Sequence, residues 1–266
     1  MKFTVDHDYH IHSTLSACSS DPEQSTARLL QYALDCGLKR LCITDHFWDE
    51  LVEGASKWYA PQNFEHISLA KPLPTADGVE FMFGCETEMD KFFTVGLSAS
   101  RFDEFDFIIV PTTHLHMTGF TLSEEDAQSE ARRAELWVER LEKLFSLDLP
   151  FYKLGVAHPT CSLIKANDRE GLGRVLNMIS DETLTRLFTR AAELGCGIEL
   201  NASDMCHIDE EAVLRIYLKA KECGCKFYLG SDAHHPGTFD RCVAIFEHAI
   251  EKLGLEESDK FLIKSK

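Results

Sequence analysis

Apolar residues along the chain fall into short runs of strand length that alternate with longer stretches of helical period. The runs lie at about 4–12, 40–45, 80–87, 106–113, 152–158, 197–202 and 226–231, each rich in Val, Ile, Phe or Leu. Between them, Leu184, Leu187, Phe188, Ala191 and Leu194 share one face of a helix that starts after Asp181. Val213, Ile216, Tyr217 and Ala220 repeat the pattern in the next unit, and Val243, Phe246, Ile250 and Leu253 in the last. The longest helical stretch, Ser123 to Phe145, opens with Ser123 and Asp126 at capping-box spacing and is charged enough to lie across the surface. Segments 47–79 and 115–122 are less regular, the first holding Pro61, Pro72 and Pro74, and read as long loops after strand ends. Strands separated by helices predict a parallel sheet, open or closed into a barrel, because parallel neighbours need a crossover long enough to hold a helix. No repeat, low-complexity tract or linker divides the chain, so residues 1–266 are expected to form one domain.

Composition narrows the function. Hydrophobic residues make up 44% of the chain, enough for a large core, which excludes a disordered protein. Lys and Arg total 27 against 44 Asp and Glu, a formal charge of −17 that would repel a phosphate backbone along its length. Long nucleic acid is therefore not an expected partner, and an anionic substrate has to be held at a local positive site such as bound metal. The N-terminus, Met1 to His12, carries charge and histidine where a signal peptide needs an apolar core, and no apolar run approaches the length of a membrane span. Ten cysteines without a C-x-x-C pair read as reduced thiols in a cytoplasmic protein, with Cys36, Cys42 and Cys196 as core fillers.

The histidines and carboxylates follow the strands. His10 and His12 are two apart on the first run, so a period of two points both rings to one side. Asp45 and His46 end the second run, Glu86 the third, His114 the fourth and His158 the fifth. Glu199 and Asn201 lie in the sixth, and Asp232 and His234 end the seventh. In a parallel barrel the C-terminal strand ends converge on one mouth, where reactive groups collect. Imidazole with carboxylate is a ligand set for Zn, Mn or Fe, and this many donors exceed one tetrahedral site, so two or three divalent ions are implied. His7, His66, His207 and His248 sit in polar or helical surroundings and are read as ordinary histidines.

These blocks resemble the PHP family, named for polymerase and histidinol phosphatase. The match runs from Asp8-Tyr9-His10-Ile11-His12 through Thr44-Asp45-His46, Gly84-Cys85-Glu86, Thr113-His114 and Ala157-His158-Pro159 to Ser231-Asp232-Ala233-His234. The resemblance implies a distorted seven-stranded (β/α) barrel, of TIM-like type, binding two or three divalent metals. It implies a first site from His10, His12, Glu86 and Asp232, and a second from Glu86 as a bridge with His114 and His158. A third would take His46 and His234 with Cys18, which stands where family members commonly carry His or Asp; Asp21 is the nearby alternative.

A metal pair suits hydrolysis of a phosphate ester by metal-activated hydroxide. The expected substrate is a small phosphorylated metabolite, with a histidinol-phosphate-like phosphomonoester as the candidate the resemblance supplies. A nucleotide phosphodiesterase or nuclease, and a non-catalytic metal-binding scaffold, are the alternatives. His116 and His234 are candidates to protonate the leaving group. Basic residues for the phosphate are sparse: Lys165, seven residues beyond His158, and Arg241, just after the last motif.

Overall fold

The computed structural model describes residues 1–160 and 168–263. Its strands are β1 (His7–Ile11), β2 (Arg40–Ile43), β3 (His46–Phe47), β4 (Glu80–Phe83), β5 (Cys85–Thr87), β6 (Ile108–Pro111), β7 (Leu154–Ala157), β8 (Gly197–Asn201) and β9 (Lys226–Gly230). All pair in parallel, as β1-β2-β4 and as β3-β5-β6-β7-β8-β9. β3 continues the line of β2, and β5 that of β4. Gly84 N donates to Ile43 O (2.8 Å) and Glu86 N to Asp45 O (3.1 Å), which carries the pairing across both breaks. The residue at that break has to be glycine, because a Cβ there would lie 2.5 Å from Phe107 O and 2.8 Å from Cys42 Sγ. On the other side of the ring, Asp232 N donates to His10 O (2.7 Å) and His12 N to Ala233 O (3.2 Å), joining the end of β9 to β1. The fold is thus a distorted seven-rung TIM-like barrel, two of whose predicted strands are interrupted.

The helices are α1 (Thr26–Asp35), α2 (Phe64–Ile67), α3 (Glu130–Leu144), α4 (Arg169–Asn177), α5 (Asp181–Leu194), α6 (Ala202–Met205), α7 (Glu211–Glu222) and α8 (Phe239–Leu253). The apolar stripe read from sequence on α7 is buried, as are Leu184, Leu187, Phe188 and Ala191 of α5 and Phe246, Ile250 and Leu253 of α8, while Leu194 is half-buried. α5 starts on a Ser180 cap and ends at Gly195 in the left-handed region. Two expectations change. The loop read over 47–79 carries α2, capped by Asn63. The long helix begins at Glu130 rather than Ser123: Ser129 caps it, while Ser123 Oγ accepts from Asp126 N and closes a separate turn. Nor does that helix merely lie on the surface, because Trp137, Arg140 and Leu141 are fully buried beneath it.

Two apolar layers result. The larger packs strands against helices. A smaller cluster fills the barrel itself, with Tyr9, Cys42, Met82, Ile109 and Tyr228 from the strands, Phe107 just before β6 and Phe261 from the C-terminal segment. Gly155 and Gly197 leave room for the Tyr228 ring. The period of two then decides what stands above this plug. Cys42 leads through Thr44 to His46, Met82 through Gly84 to Glu86, and Tyr228 through Gly230 to Asp232. On β1 a register shift between Asp8 and Ile11 lets the neighbours Tyr9 and His10 both serve the interior, Tyr9 in the plug and His10 above it.

Candidate metal centre

Three groups of donor atoms lie above the plug, each group within 4.8 Å: His10, His12 and Glu86; Glu86, His114 and His158; and His12, His46 and His234. The groups share corners, because Glu86 and His12 each belong to two. Asp232 Oδ1 joins the first at 3.4 Å from His10 Nε2 and 3.2 Å from His12 Nε2. Glu86 spans the centre. Its Oε1 lies 3.2 Å from His158 Nε2, and its Oε2 lies 3.4, 3.3 and 2.9 Å from His10 Nε2, His12 Nε2 and His46 Nδ1.

The outer ring nitrogens explain why the donors converge. His10 Nδ1 faces Glu199 Oε1 (2.7 Å), His12 Nδ1 faces Ser16 Oγ (2.8 Å), and His114 Nδ1 faces Glu88 Oε2 (2.8 Å). His158 Nδ1 faces Thr113 Oγ1 (3.2 Å), and His234 Nδ1 donates to Asp232 O (2.8 Å). Each partner engages Nδ1, and in His10, His12 and His158 Nε2 faces the other donors, the arrangement by which proteins fix the tautomer of a ligating imidazole. Ser16 is itself held, donating to Asp45 Oδ1 (2.7 Å).

Electrostatics agree with a cation site. Burial alone would push Glu86 up, but the imidazoles of His46 and His10 hold it well below the usual carboxylate range. Asp232 is lowered against burial in the same way, by His10 and His12. Burial lowers His114 well below an ordinary histidine and His234 to about 3, leaving both rings neutral and able to ligate. Glu86 Oε2 and His46 Nδ1 are buried 2.9 Å apart without hydrogen-bond geometry between them, and neither has another hydrogen bond among the described residues. A cation beside them would satisfy both, so the residues present fit divalent metal. Backbone strain marks the same place: His158 and Asp232 hold φ of +27° and +52°.

A cavity of about 380 Å³ opens on this cluster. His46, Glu86, His114, Asp232 and His234 reach it, with Trp58, Tyr59 and Met117 beside them. Cys18 and His116 are exposed at its edge. Cys18 is outside the three donor groups, and His12 stands with His46 and His234 instead. Asp21 is paired with His235 (2.7 Å). Arg241 is exposed in the first turn of α8 and is not among the residues lining the cavity, and Lys165 lies outside the described residues. The ordinary histidines are engaged elsewhere. His7 accepts from Leu229 N (3.1 Å) and pairs with Asp6, and His66 donates to Leu15 O (2.7 Å). His207 pairs with Glu210 and His248 with Asp209.

Two buried carboxylates stand behind the imidazoles: Glu199, which the sequence reading placed on the sixth run without giving it a role, and Glu88, which it did not single out. Glu88 and Glu199 are both fully buried. Glu88 follows Glu86 by two residues, so alternation could have placed it on the same face. Glu199 interrupts the apolar run Gly197-Ile198-Glu199-Leu200, and a lone acid inside a strand is the signal it offers.

A parallel β/α barrel whose mouth gathers six imidazoles and two carboxylates is built for metal-assisted chemistry. The sequence profile of the PHP domain matches residues 8–203, and the chain belongs to that family. Among solved structures it is similar to histidinol phosphate phosphatase from Lactococcus lactis subsp. lactis Il1403, determined with zinc, L-histidinol and phosphate. That match has 18% identity and a TM-score of 0.58, covering 96% of this chain and 98% of the other. PsfC from Pseudomonas syringae PB-5123 matches at 18% identity and a TM-score of 0.42, covering 86% and 76%. No curated protein sequence matches the chain. Among the described residues no helix is long and apolar enough to cross a membrane.

Proposed function

We propose that this protein is a metal-dependent phosphoesterase that hydrolyses a phosphomonoester of a small metabolite, of histidinol-phosphate type. The observation that carries the reading is the sharing of Glu86 and His12 between donor groups, which would set two or three ions around one cavity. His10, His12, Glu86 and Asp232 would hold one ion, and Glu86, His114 and His158 a second. His46 and His234 with His12 would hold a third, with Cys18 at its edge. Divalent ions bound there would polarise the phosphoryl oxygens and lower the pKa of a nucleophilic water.

The chain's own residues supply the rest. Glu86 and Asp232 stay ionised and offset the charge of the ions. The neutral His234 ring has its Nδ1 committed to Asp232 O (2.8 Å) and belongs to a donor group. That leaves His116, exposed at the edge, as the residue to protonate the departing alcohol. Trp58, which is 40% exposed and packs edge-on against His46, offers an apolar wall for the organic part. The cavity volume suits a small molecule rather than a polymer, and its described lining holds neither Lys nor Arg, so the ions would have to take the phosphate charge.

Assaying zinc- and manganese-loaded protein against phosphomonoesters, phosphodiesters and short oligonucleotides tests this. Chelator-sensitive turnover of monoesters, histidinol phosphate included, is expected. Turnover of diesters or oligonucleotides alone would replace the reading with a nuclease, and metal binding without any turnover would replace it with a scaffold.

A further inference from the structure

We propose that Glu199 is a positioning residue that couples two of the donor groups through a single carboxylate, in a space that Gly230 keeps open. The inference rests on the metal-site reading above and concerns a residue that contributes no donor to any of the three groups.

Glu199 lies on β8 and is fully buried. Its two oxygens face two different strands. Oε1 accepts from His10 Nδ1 at 2.7 Å, and Oε2 accepts from His158 N at 2.6 Å. The first bond fixes the proton of His10 on Nδ1, so Nε2 is the nitrogen offered, 3.1 Å from His12 Nε2. The second holds the backbone of a residue whose φ of +27° has no support from a glycine, and whose Nε2 reaches Glu86 Oε1 at 3.2 Å. His10 belongs to one donor group and His158 to another. One carboxylate therefore sets a side-chain direction in the first and a backbone strain in the second.

Gly230 provides the room. A Cβ at that position would overlap Glu199 Oε1 and come within 2.7 Å of His10 Cβ. Its φ is not in the left-handed region, so no backbone need calls for glycine there. What the missing side chain leaves is space for the Glu199 carboxylate and the His10 stem. Two residues on neighbouring strands thus fit one another in support of His10.

The test compares variants by zinc competition against a chelator and by visible absorption of the cobalt-substituted protein. Glu199→Gln keeps the shape but cannot accept both bonds as a carboxylate does, and it should weaken two ions by about 10- to 100-fold each. Gly230→Ala, which leaves Glu199 in the sequence but denies it the space, should give the same pattern. Glu88→Gln, which touches the ligand His114 alone among the donors, should weaken one ion. In the zinc-loaded wild type, nitrogen-15 NMR should find the His10 proton on Nδ1, a readout that needs no variant to fold. A proton on Nε2, or a folded Glu199→Gln variant that loosens one ion or none, overturns the coupling. Wild-type protein that binds fewer than two ions overturns the metal-site reading itself, and the coupling with it.

Discussion

Arg140 is a charge buried in a helix that reads as a surface element, and removing it has a calculable consequence. The guanidinium is fully buried and uses all five of its donors. Nε donates to Thr112 O (2.7 Å), Nη1 to Asp90 O and Thr121 O (3.1 Å each), and Nη2 to Met89 O (2.6 Å) and Glu88 Oε1 (3.3 Å). Arg140→Met fills most of the volume but strips donors from four carbonyls and leaves Glu88 without its cation. Breaking a buried pair from one side typically costs about 3–5 kcal/mol. Carbonyls left dry add roughly 1–3 kcal/mol each, less where water enters. We expect a loss of about 4 kcal/mol or more, which for a chain of this size lowers Tm by roughly 10 °C. Arg140→Lys, which keeps the charge but not the fork, should recover less than half. Urea and thermal unfolding followed by circular dichroism measure both variants. An Arg140→Met protein within about 1 kcal/mol of wild type would refute the reasoning, because it would mean that those carbonyls and Glu88 are satisfied without the guanidinium.

Three other outcomes follow from the same contacts. Glu86→Gln removes one of two carboxylates among the described residues that face the three donor groups, and even two unit charges about 4 Å apart are worth roughly 4 kcal/mol at an effective dielectric of 20, which sets a lower bound for a divalent ion. Zinc affinity and phosphoester turnover should each fall by at least about three orders of magnitude with the circular dichroism spectrum unchanged, and near-wild-type turnover would place the centre elsewhere. Cys18→Ser should leave the metal count unchanged, because His12 stands with His46 and His234; loss of one equivalent would restore the thiol as a ligand. Burial raises Asp6, but the bonds from His7 and Lys260 outweigh it and hold the carboxyl at about 2 against an ordinary 3.8. Its stabilising contribution is therefore complete above pH 3.8 and lost as pH falls from there to about 2. Asp6→Asn should be less stable than wild type at neutral pH and should lose less of its stability across that window, and parallel stability curves for the two proteins would contradict this.

The parts legible in the sequence share one physical cause. A strand of alternating period buried on both faces has to be apolar, so His10, Glu86 and His158 at the ends of such runs stand out as residues the core does not need. The same alternation carries Met82 to Glu86 and Tyr228 to Asp232. What stayed hidden depends on partners distant in sequence. Glu199 looks like one acid in a strand until His10 and His158 close on it from β1 and the end of β7. Arg140 looks like one charge among many on α3, because nothing local tells that Thr112, Asp90 and Thr121 will turn their carbonyls toward it. The need for glycine at position 84 was equally invisible, since it follows from the approach of Phe107 O and Cys42 Sγ. Asn63 as the cap of α2 was readable in principle but lay within a proline-marked stretch that argued for loop.

The central claim is that Glu86 and His12 serve more than one ion. Metal analysis of protein purified without chelator, repeated after reconstitution with zinc, manganese and iron, tests it most directly. The shared donors predict at least two equivalents per chain, falling together when Glu86 is replaced by Gln. One equivalent or less under every loading condition would contradict the account, because three donor groups joined at two corners would then be a hydrogen-bonded histidine cluster and nothing more.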